Sequence, residues 1–552
     1  MRFQRLVQAA LLSLFLVLLG LAAYPLPPWP EVDLFLRLDP LVSVGTMLAA
    51  RDPVPGVAWG LVFLGAALIL GRIFCGYVCP MGITLDFVQG LGVRPRHGNT
   101  GADRGHRGWK VLFLAFLLGA SLVGIASVFL GSPLSLITRF YSFVVWPLAL
   151  MLSNLLLDLV RPLLPHLGLG ALSHAHMDVP RFDTHLFVAA LFAAVFALEW
   201  VKPRFWCRYV CPSGALQGLF SRRPLFRRTV SESCTLCGQC FLHCPTGAVG
   251  EDFKTTAHAE CVVCLKCREI CPVEAIHFRA RVGSKEDGSG VDLPRRKVVA
   301  AALGGAAAAA LTMTQIRYLG GATEPRGVRA SLLIRPPGAR TEGDFQSRCL
   351  RCGECVKACL TNTLQPVWFE AGLSGIWTPR MTPRLAGCEQ NCNVCGQVCP
   401  TGAIRPLPLA EKMFAKVGTA RIIRSLCIAW EQDRRCLICD EICPYNAISS
   451  RFEPGHPVTV PFIDEQRCNG CGYCENKCPV PGEAAVVVDP LGEFRMDQGS
   501  YRTRAKKLGL LLHAKETVKE DTMMGHPARD GALIRGEAPS RLPPGFIPKN
   551  QP

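Results

Sequence analysis

The sequence predicts a multi-domain chain in which an α-helical membrane domain carries small α+β domains. Two observations predict it: apolar runs fill the first part of the chain, and 28 cysteines recur at short, regular spacings. With 552 residues, the chain is long enough for several domains. Hydrophobic residues make up 49% and charged residues 19%, an apolar balance that favours membrane spans over a soluble protein. A net charge of +17 could mean nucleic acid. Here the Lys and Arg residues cluster beside the apolar runs, as on the cytoplasmic rim of a membrane protein, so no nucleic-acid partner is expected.

The apolar runs come first. Residues 6–23 follow Arg2 and Arg5; with no small-residue cleavage site and more apolar runs behind them, they read as an anchor rather than a signal peptide. Residues 57–70, 111–130 and 186–201 are further spans, and the Ala-rich run 298–313 is a fifth. Residues 143–160 are apolar but hold Pro147, Asn154 and Asp158. Loop charge decides their place. Residues 71–110 carry six Lys/Arg against two acids, and residues 202–230 carry seven and none. Both loops are therefore expected inside, which leaves 143–160 as a re-entrant or interfacial helix on the outer side.

The cysteines come next. Cys234, Cys237, Cys240 and Cys244-Pro245 form one run, and Cys261, Cys264, Cys267 and Cys271-Pro272 form a second. This is the bacterial two-cluster ferredoxin pattern, in which three close thiolates wrap one cluster and the fourth reaches the other. One cluster is then held by Cys234, Cys237, Cys240 and Cys271, and the other by Cys261, Cys264, Cys267 and Cys244. Zinc sites use two separated CxxC pairs instead. Disulfide scaffolds are small and coreless, unlike this chain.

Four more runs follow. They are Cys349, Cys352, Cys355, Cys359; Cys388, Cys392, Cys395, Cys399; Cys427, Cys436, Cys439, Cys443; and Cys468, Cys471, Cys474, Cys478. The outer two have regular spacing and the inner two open with wider gaps. That favours a nested pairing, first with fourth and second with third, with sequential pairing as the alternative. Either way the count is four further clusters. The full fold class is thus multi-domain, an α-helical membrane domain plus α+β bacterial ferredoxin-type [4Fe–4S] domains.

The last four cysteines lie in GRIFCGYVCPMG and PRFWCRYVCPSG, an internal repeat that places Cys75, Cys79, Cys207 and Cys211 just past two spans. They read as a redox dithiol, a shared metal site or the lining of a quinone site; helix-end packing is the plainer alternative. No catalytic residue is assigned. No CxxCH, P-loop or GxGxxG context is present. His185, Asp86 and Arg139 read as interfacial, and Gly320-Gly321-Ala322-Thr323 as a plain loop.

With these motifs placed, residues 1–280 resemble the NapH/MauN family of membrane ferredoxins, which have four spans, two CxxxCP motifs and a two-cluster domain. Residues 294–490 resemble the MauM/NapG four-cluster ferredoxins. The carrying segments begin CLRCGECVKACL at Cys349, CEQNCNVCGQVCP at Cys388 and CNGCGYCENKCPV at Cys468. The departure is that two separate partners appear as one polypeptide. Arg295-Arg296 before 298–313 resembles a twin-arginine export signal, here internal.

The expected domains are 1–202, the membrane domain; 203–293, a cytoplasmic two-cluster unit; 294–313, the twin-arginine-like fifth span; 314–499, an extracytoplasmic four-cluster unit; and 500–552, a helical (504–520) and Pro-rich tail. The resemblance implies a multi-pass protein of the cytoplasmic membrane with six [4Fe–4S] clusters and a quinone as the further candidate ligand. It would link the quinone pool or cytoplasmic donors to a periplasmic c-type cytochrome or reductase, as a quinol dehydrogenase component. The alternative is a factor that supplies electrons for maturing a periplasmic enzyme such as methylamine dehydrogenase.

Overall fold

The computed structural model describes residues 2–27, 30–90, 106–162, 164, 176–280, 293–313, 333–369 and 371–513. The loop 320–323, the linker 282–292 and the tail beyond 513 lie outside these. The expected tail helix, 504–520, is met only over Arg504–Lys507, the end of a short helix Tyr501–Lys507; residues 508–513 are not helical.

Helices gather into one layer, with the two cysteine-rich units at its opposite ends. Helix Arg2–Leu21 shows both ends at once. Near its start, Gln8 donates to the carbonyl of Gly76 at 3.0 Å, beside the first cysteine-rich unit. Past its end, the Lys357 ammonium of the second unit takes the carbonyls of Leu19 and Ala22, the latter at 3.0 Å. A cation is favoured there, because the last carbonyls of a helix lack partners and carry its negative pole. Buried apolar side chains run without a break from Phe15, Leu41, Phe74, Leu114 and Phe192 in the layer to Leu350 and Val356 in the second unit.

Three helices among the described residues are long and apolar enough to cross a membrane: Phe3–Leu21, Pro133–Val160 and Arg295–Met313. The expected spans 57–70, 111–130 and 186–201 appear as the shorter helices Pro55–Leu70, Gly108–Leu122 and His185–Trp200. The second of these stops early because the chain turns at Gly124, whose φ of 108° lies outside the helical region. Residues 143–160 are not a separate helix. They are the later part of one continuous helical run, Pro133–Val160. Ser132 caps its start, accepting from Ser135 N at 3.1 Å, and a π-turn at Tyr141–Val145 carries it past Pro147.

Arg295–Met313 lies alongside Gly108–Leu122. A side chain at Gly305 would strike the backbone of Phe116, and one at Gly119 would strike Ala302. Small residues on both faces let the two backbones touch. Gly108 meets Leu293 at one end and Gly124 meets Met313 at the other, so the two segments run in the same direction.

Each cysteine-rich unit is made of short helices and two-stranded antiparallel sheets. In the first, Phe226–Val230 pairs with Ile276–Ala280 and brackets both cysteine runs. In the second, a bridge between Ala339 and Ile404 brackets the runs at 349–359 and 388–399. Strands Thr419–Ile422 and Val486–Asp489 bracket those at 427–443 and 468–478.

Candidate metal centres

Cys234, Cys237, Cys240 and Cys271 line one space, as the spacing led us to expect. Cys244, Cys261, Cys264 and Cys267 also stand within electrostatic range of one another in every pairing. In the second unit, Cys349, Cys352 and Cys355 share their space with Cys399. Cys359 joins Cys388, Cys392 and Cys395. Cys427, Cys436 and Cys439 share theirs with Cys478, and Cys468, Cys471 and Cys474 with Cys443. Pairing is therefore sequential, and the nested arrangement is corrected. The reason is the bracketing: the pair Phe226–Val230 with Ile276–Ala280, the Ala339–Ile404 bridge and the pair Thr419–Ile422 with Val486–Asp489 each close around two consecutive runs, which brings the fourth cysteine of each run to its neighbour's set.

Among the described residues no three Cys, His, Asp or Glu side chains converge closely enough for a single ion. A cubane suits a wider spread, because each of its four irons binds a different thiolate. The donor chemistry also fits. Burial, then the neighbouring Cys427 and Cys436, push the Cys439 thiol up to about 12. Crowded sulfurs of this kind hold their thiolate form when a cationic centre sits among them. Backbone N–H groups point at the fourth sulfur of five of the six runs: Ala248 at Cys244 (3.2 Å), Ala275 at Cys271 (3.3 Å), Ile404 at Cys399 (3.5 Å), Ala447 at Cys443 (3.3 Å) and Ala485 at Cys478 (3.4 Å). Such bonds to sulfur are one lever on cluster potential.

The sets form a sequence in space. Cys267 lies in range of Cys240, Cys355 of Cys395, Cys471 of Cys388, and Cys474 of Cys439. In the second unit the order is thus the set of Cys349, then that of Cys388, then Cys468, then Cys427. The last two are reversed relative to the chain.

Cys75, Cys79, Cys207 and Cys211 are all buried in the helical layer, and all six of their pairings lie in electrostatic range. Each motif makes the same π-turn, closed by Cys79 N to Phe74 O and by Cys211 N to Trp206 O, both at 2.9 Å. Each is followed by a helix that begins at its proline.

Several polar residues surround this group, and the sequence reading did not assign them. Arg72 reaches Glu260 at 3.1 Å, and Lys110 pairs with the same carboxylate. Arg204 grips Asp86 with two bonds of 2.7 and 2.6 Å. Asp39 accepts from Ser132 at 2.7 Å and from Ser213 at 2.9 Å. Arg72 and Arg204 each stand three residues before a cysteine in the repeat, a signal that was present in the sequence. Asp86 is the partner of Arg204, and Arg139 is buried, donating to the carbonyl of Arg351 at 3.1 and 2.7 Å.

Comparison with known proteins follows this division. A family described as a 4Fe–4S binding domain matches residues 52–97 and 184–231, and a second with the same description matches 229–249 and 461–481. The methylamine utilization ferredoxin-type protein MauM of Paracoccus denitrificans is 37% identical over 203 residues, 35% of this chain and 83% of that protein. The chain belongs to the MauM/NapG ferredoxin-type family. The ferredoxin-type protein NapG of Escherichia coli is 34% identical over 178 residues, 30% of this chain and 75% of its own length. NapF of the same organism is 33% identical over 154 residues, 28% of this chain and 84% of its length. Membership of the MauM/NapG family thus rests on about a third of the chain.

Proposed function

We propose that the chain is a membrane-anchored electron carrier with [4Fe–4S] clusters in six cysteine sets, two at one end of the helical layer and four at the other. The observation that carries this reading is the spatial sequence of sets, each in range of the next within its unit. The clusters, when bound, supply reversible one-electron chemistry. The chain's residues hold them at fixed separations, bury them and aim N–H donors at their sulfurs. On this reading residues 1–202 are the membrane domain and 203–293 face the cytoplasm. Arg295–Met313 crosses the bilayer, 314–499 face the periplasm, and the whole is a NapH/MauN-type protein fused to a MauM/NapG-type one. It would link the quinone pool or a cytoplasmic donor to a periplasmic cytochrome or reductase.

The likeness to methylamine utilization proteins favours a second reading, in which the same electrons serve the maturation of a periplasmic enzyme. Steady oxidation of a quinol by the anaerobically purified chain, with a soluble acceptor present, separates the two. Turnover supports the respiratory link, and absence of any quinol reactivity removes it. Iron analysis tests the shared core of both readings. Six filled sets require about 24 Fe per chain, and a value near eight would remove the four-cluster unit as a carrier.

A further inference from the structure

We infer that Arg351 and Arg139, two buried cations with no carboxylate partner, raise the reduction potential of the cluster held by Cys349, Cys352, Cys355 and Cys399. The inference rests on the electron-carrier reading above and adds which residues tune one of its sets.

The chain supplies its own comparison. Four runs have the regular spacing, and in each the residue before the second cysteine takes a positive φ: Leu236 (54°), Val263 (52°), Arg351 (51°) and Gly470 (85°). The turn itself asks for no charge. Glycine suits it best, and an apolar side chain serves in two of the runs. Only the run at Cys349 places a cation there. Arg351 is buried and lines the same space as Cys349, Cys352, Cys355 and Cys399. Arg139 of the helical layer comes to the same place, donating to the Arg351 carbonyl at 3.1 and 2.7 Å and standing in electrostatic range of Cys349 and Cys352.

Neither arginine forms an ion pair among the described residues. Arg351 donates to the carbonyl of Ser374 at 2.5 Å and lies 3.8 Å from the ring centre of Phe129. Arg139 lies 4.5 Å from the ring centre of Trp377. Arg351 Nε and Arg139 Nη1 are buried with no hydrogen-bond partner among the described residues. The carboxylates nearby are engaged elsewhere. Glu342 pairs with Arg335 and Arg495, both at 2.6 Å, and Glu354 stands in range of Lys357. Two buried charges without a counter-ion are costly. The anions within their range are the ligands of this set. A cubane held by four thiolates is itself anionic, and one added electron makes it more so. The two guanidinium groups therefore favour the reduced form over the oxidised one, which raises the potential.

The position gives this tuning a use. The ring of Phe143 lies over Gly353, between Cys352 and Cys355, and Ala126 N donates to the carbonyl of Gln346 at 3.2 Å. The set thus meets the helical layer, at one end of the spatial sequence within its unit. A raised potential there draws electrons from the layer into the four-cluster unit. Each transfer is one electron, lost by the donor and gained by the set, and no bond forms or breaks.

The test is a redox titration of the whole, anaerobically purified chain with dithionite, each reduced cluster being followed by EPR. The component missing from a Cys349→Ser, Cys399→Ser variant identifies this set. Its midpoint is then measured in Arg351→Leu, which installs the residue of the equivalent turn at Leu236, and in Arg351→Lys, which keeps the charge. In Arg351→Leu the ratio of reduced to oxidised form at a fixed potential should fall at least about tenfold, a midpoint about 59 mV lower, with the other components unmoved. Arg351→Lys should stay close to the unaltered chain. An unmoved midpoint in Arg351→Leu, or an equal fall in Arg351→Lys, overturns the inference, the second by showing a packing role. If iron analysis shows that Arg351→Leu has lost the cluster, Arg139→Gln against Arg139→Lys makes the same comparison from the helical side. About eight Fe in the unaltered chain would instead remove the four-cluster carrier reading on which the inference rests.

Discussion

Gly76 packs so tightly against Val262 that a methyl group in place of its hydrogen would overlap the Val262 carbonyl oxygen. The first CxxxCP turn and the Cys-x-x-Cys loop of the two-cluster unit thus meet backbone to backbone. The smallest residue is required because backbone, unlike a side-chain tip, cannot rotate away. Gly76→Val should separate the two surfaces and cost about 1–3 kcal/mol, as overpacking does. Thermal unfolding reads the cost, and stopped-flow oxidation of the two-cluster unit should slow.

Glu260 holds the same interface electrostatically. It is buried and is the shared partner of Arg72 and Lys110. Glu260→Gln leaves two buried cations with one neutral amide between them. Breaking a buried ion pair costs about 3–5 kcal/mol, so this change should lower the unfolding midpoint more than Gly76→Val. Glu260→Asp, which keeps the charge, should recover part of the loss.

Sequential pairing makes a count that nested pairing does not. Cys349 and Cys399 line one space, so Cys349→Ser with Cys399→Ser should remove one cluster, about four Fe per chain. In the nested arrangement the same two changes strike different clusters and remove about eight Fe. Iron analysis of the double variant distinguishes the two.

Arg139 ties the four-cluster unit to the helical layer. Besides its two bonds to the Arg351 carbonyl, its guanidinium lies 4.5 Å from the ring centre of Trp377. Arg139→Ala should cost about 3 kcal/mol, given that bonds from a charged donor are worth more than neutral ones. Limited proteolysis should then release the four-cluster unit while the two-cluster unit stays attached.

The contact of Arg295–Met313 with Gly108–Leu122 depends on small residues. Gly305→Leu would press a branched side chain onto the backbone of Phe116. Gly305→Leu should cost about 1–3 kcal/mol, as overpacking does, read as a lower thermal unfolding midpoint.

The ligand sets were legible because their spacing is local. Three cysteines in Cys-x-x-Cys-x-x-Cys, as at Cys234 to Cys240, are placed by a few consecutive dihedral angles, and chain connectivity does the rest. The repeat around Cys75 and Cys207 was equally plain, and it contained Arg72 and Arg204 without revealing what they do. Helix lengths were less legible. Residues 111–130 are uniformly apolar, yet the helix ends at Leu122 because the chain turns at Gly124. Pro147 masks the continuity of 143–160 with 133–142, although one helical run spans both.

The sequence by itself determined which cysteines belong to ferredoxin runs, how many runs exist and where the apolar segments lie. Only the tertiary structure decided which run shares its fourth cysteine with which, in what order the sets follow one another, and that the two CxxxCP motifs meet. The physical reason is range. Spacing and hydropathy act over a few residues, whereas pairing is set by strand brackets such as Thr419–Ile422 with Val486–Asp489, whose partners are far apart in the chain. Contacts such as Gly76 with Val262 or Asp86 with Arg204 join segments that no local pattern connects.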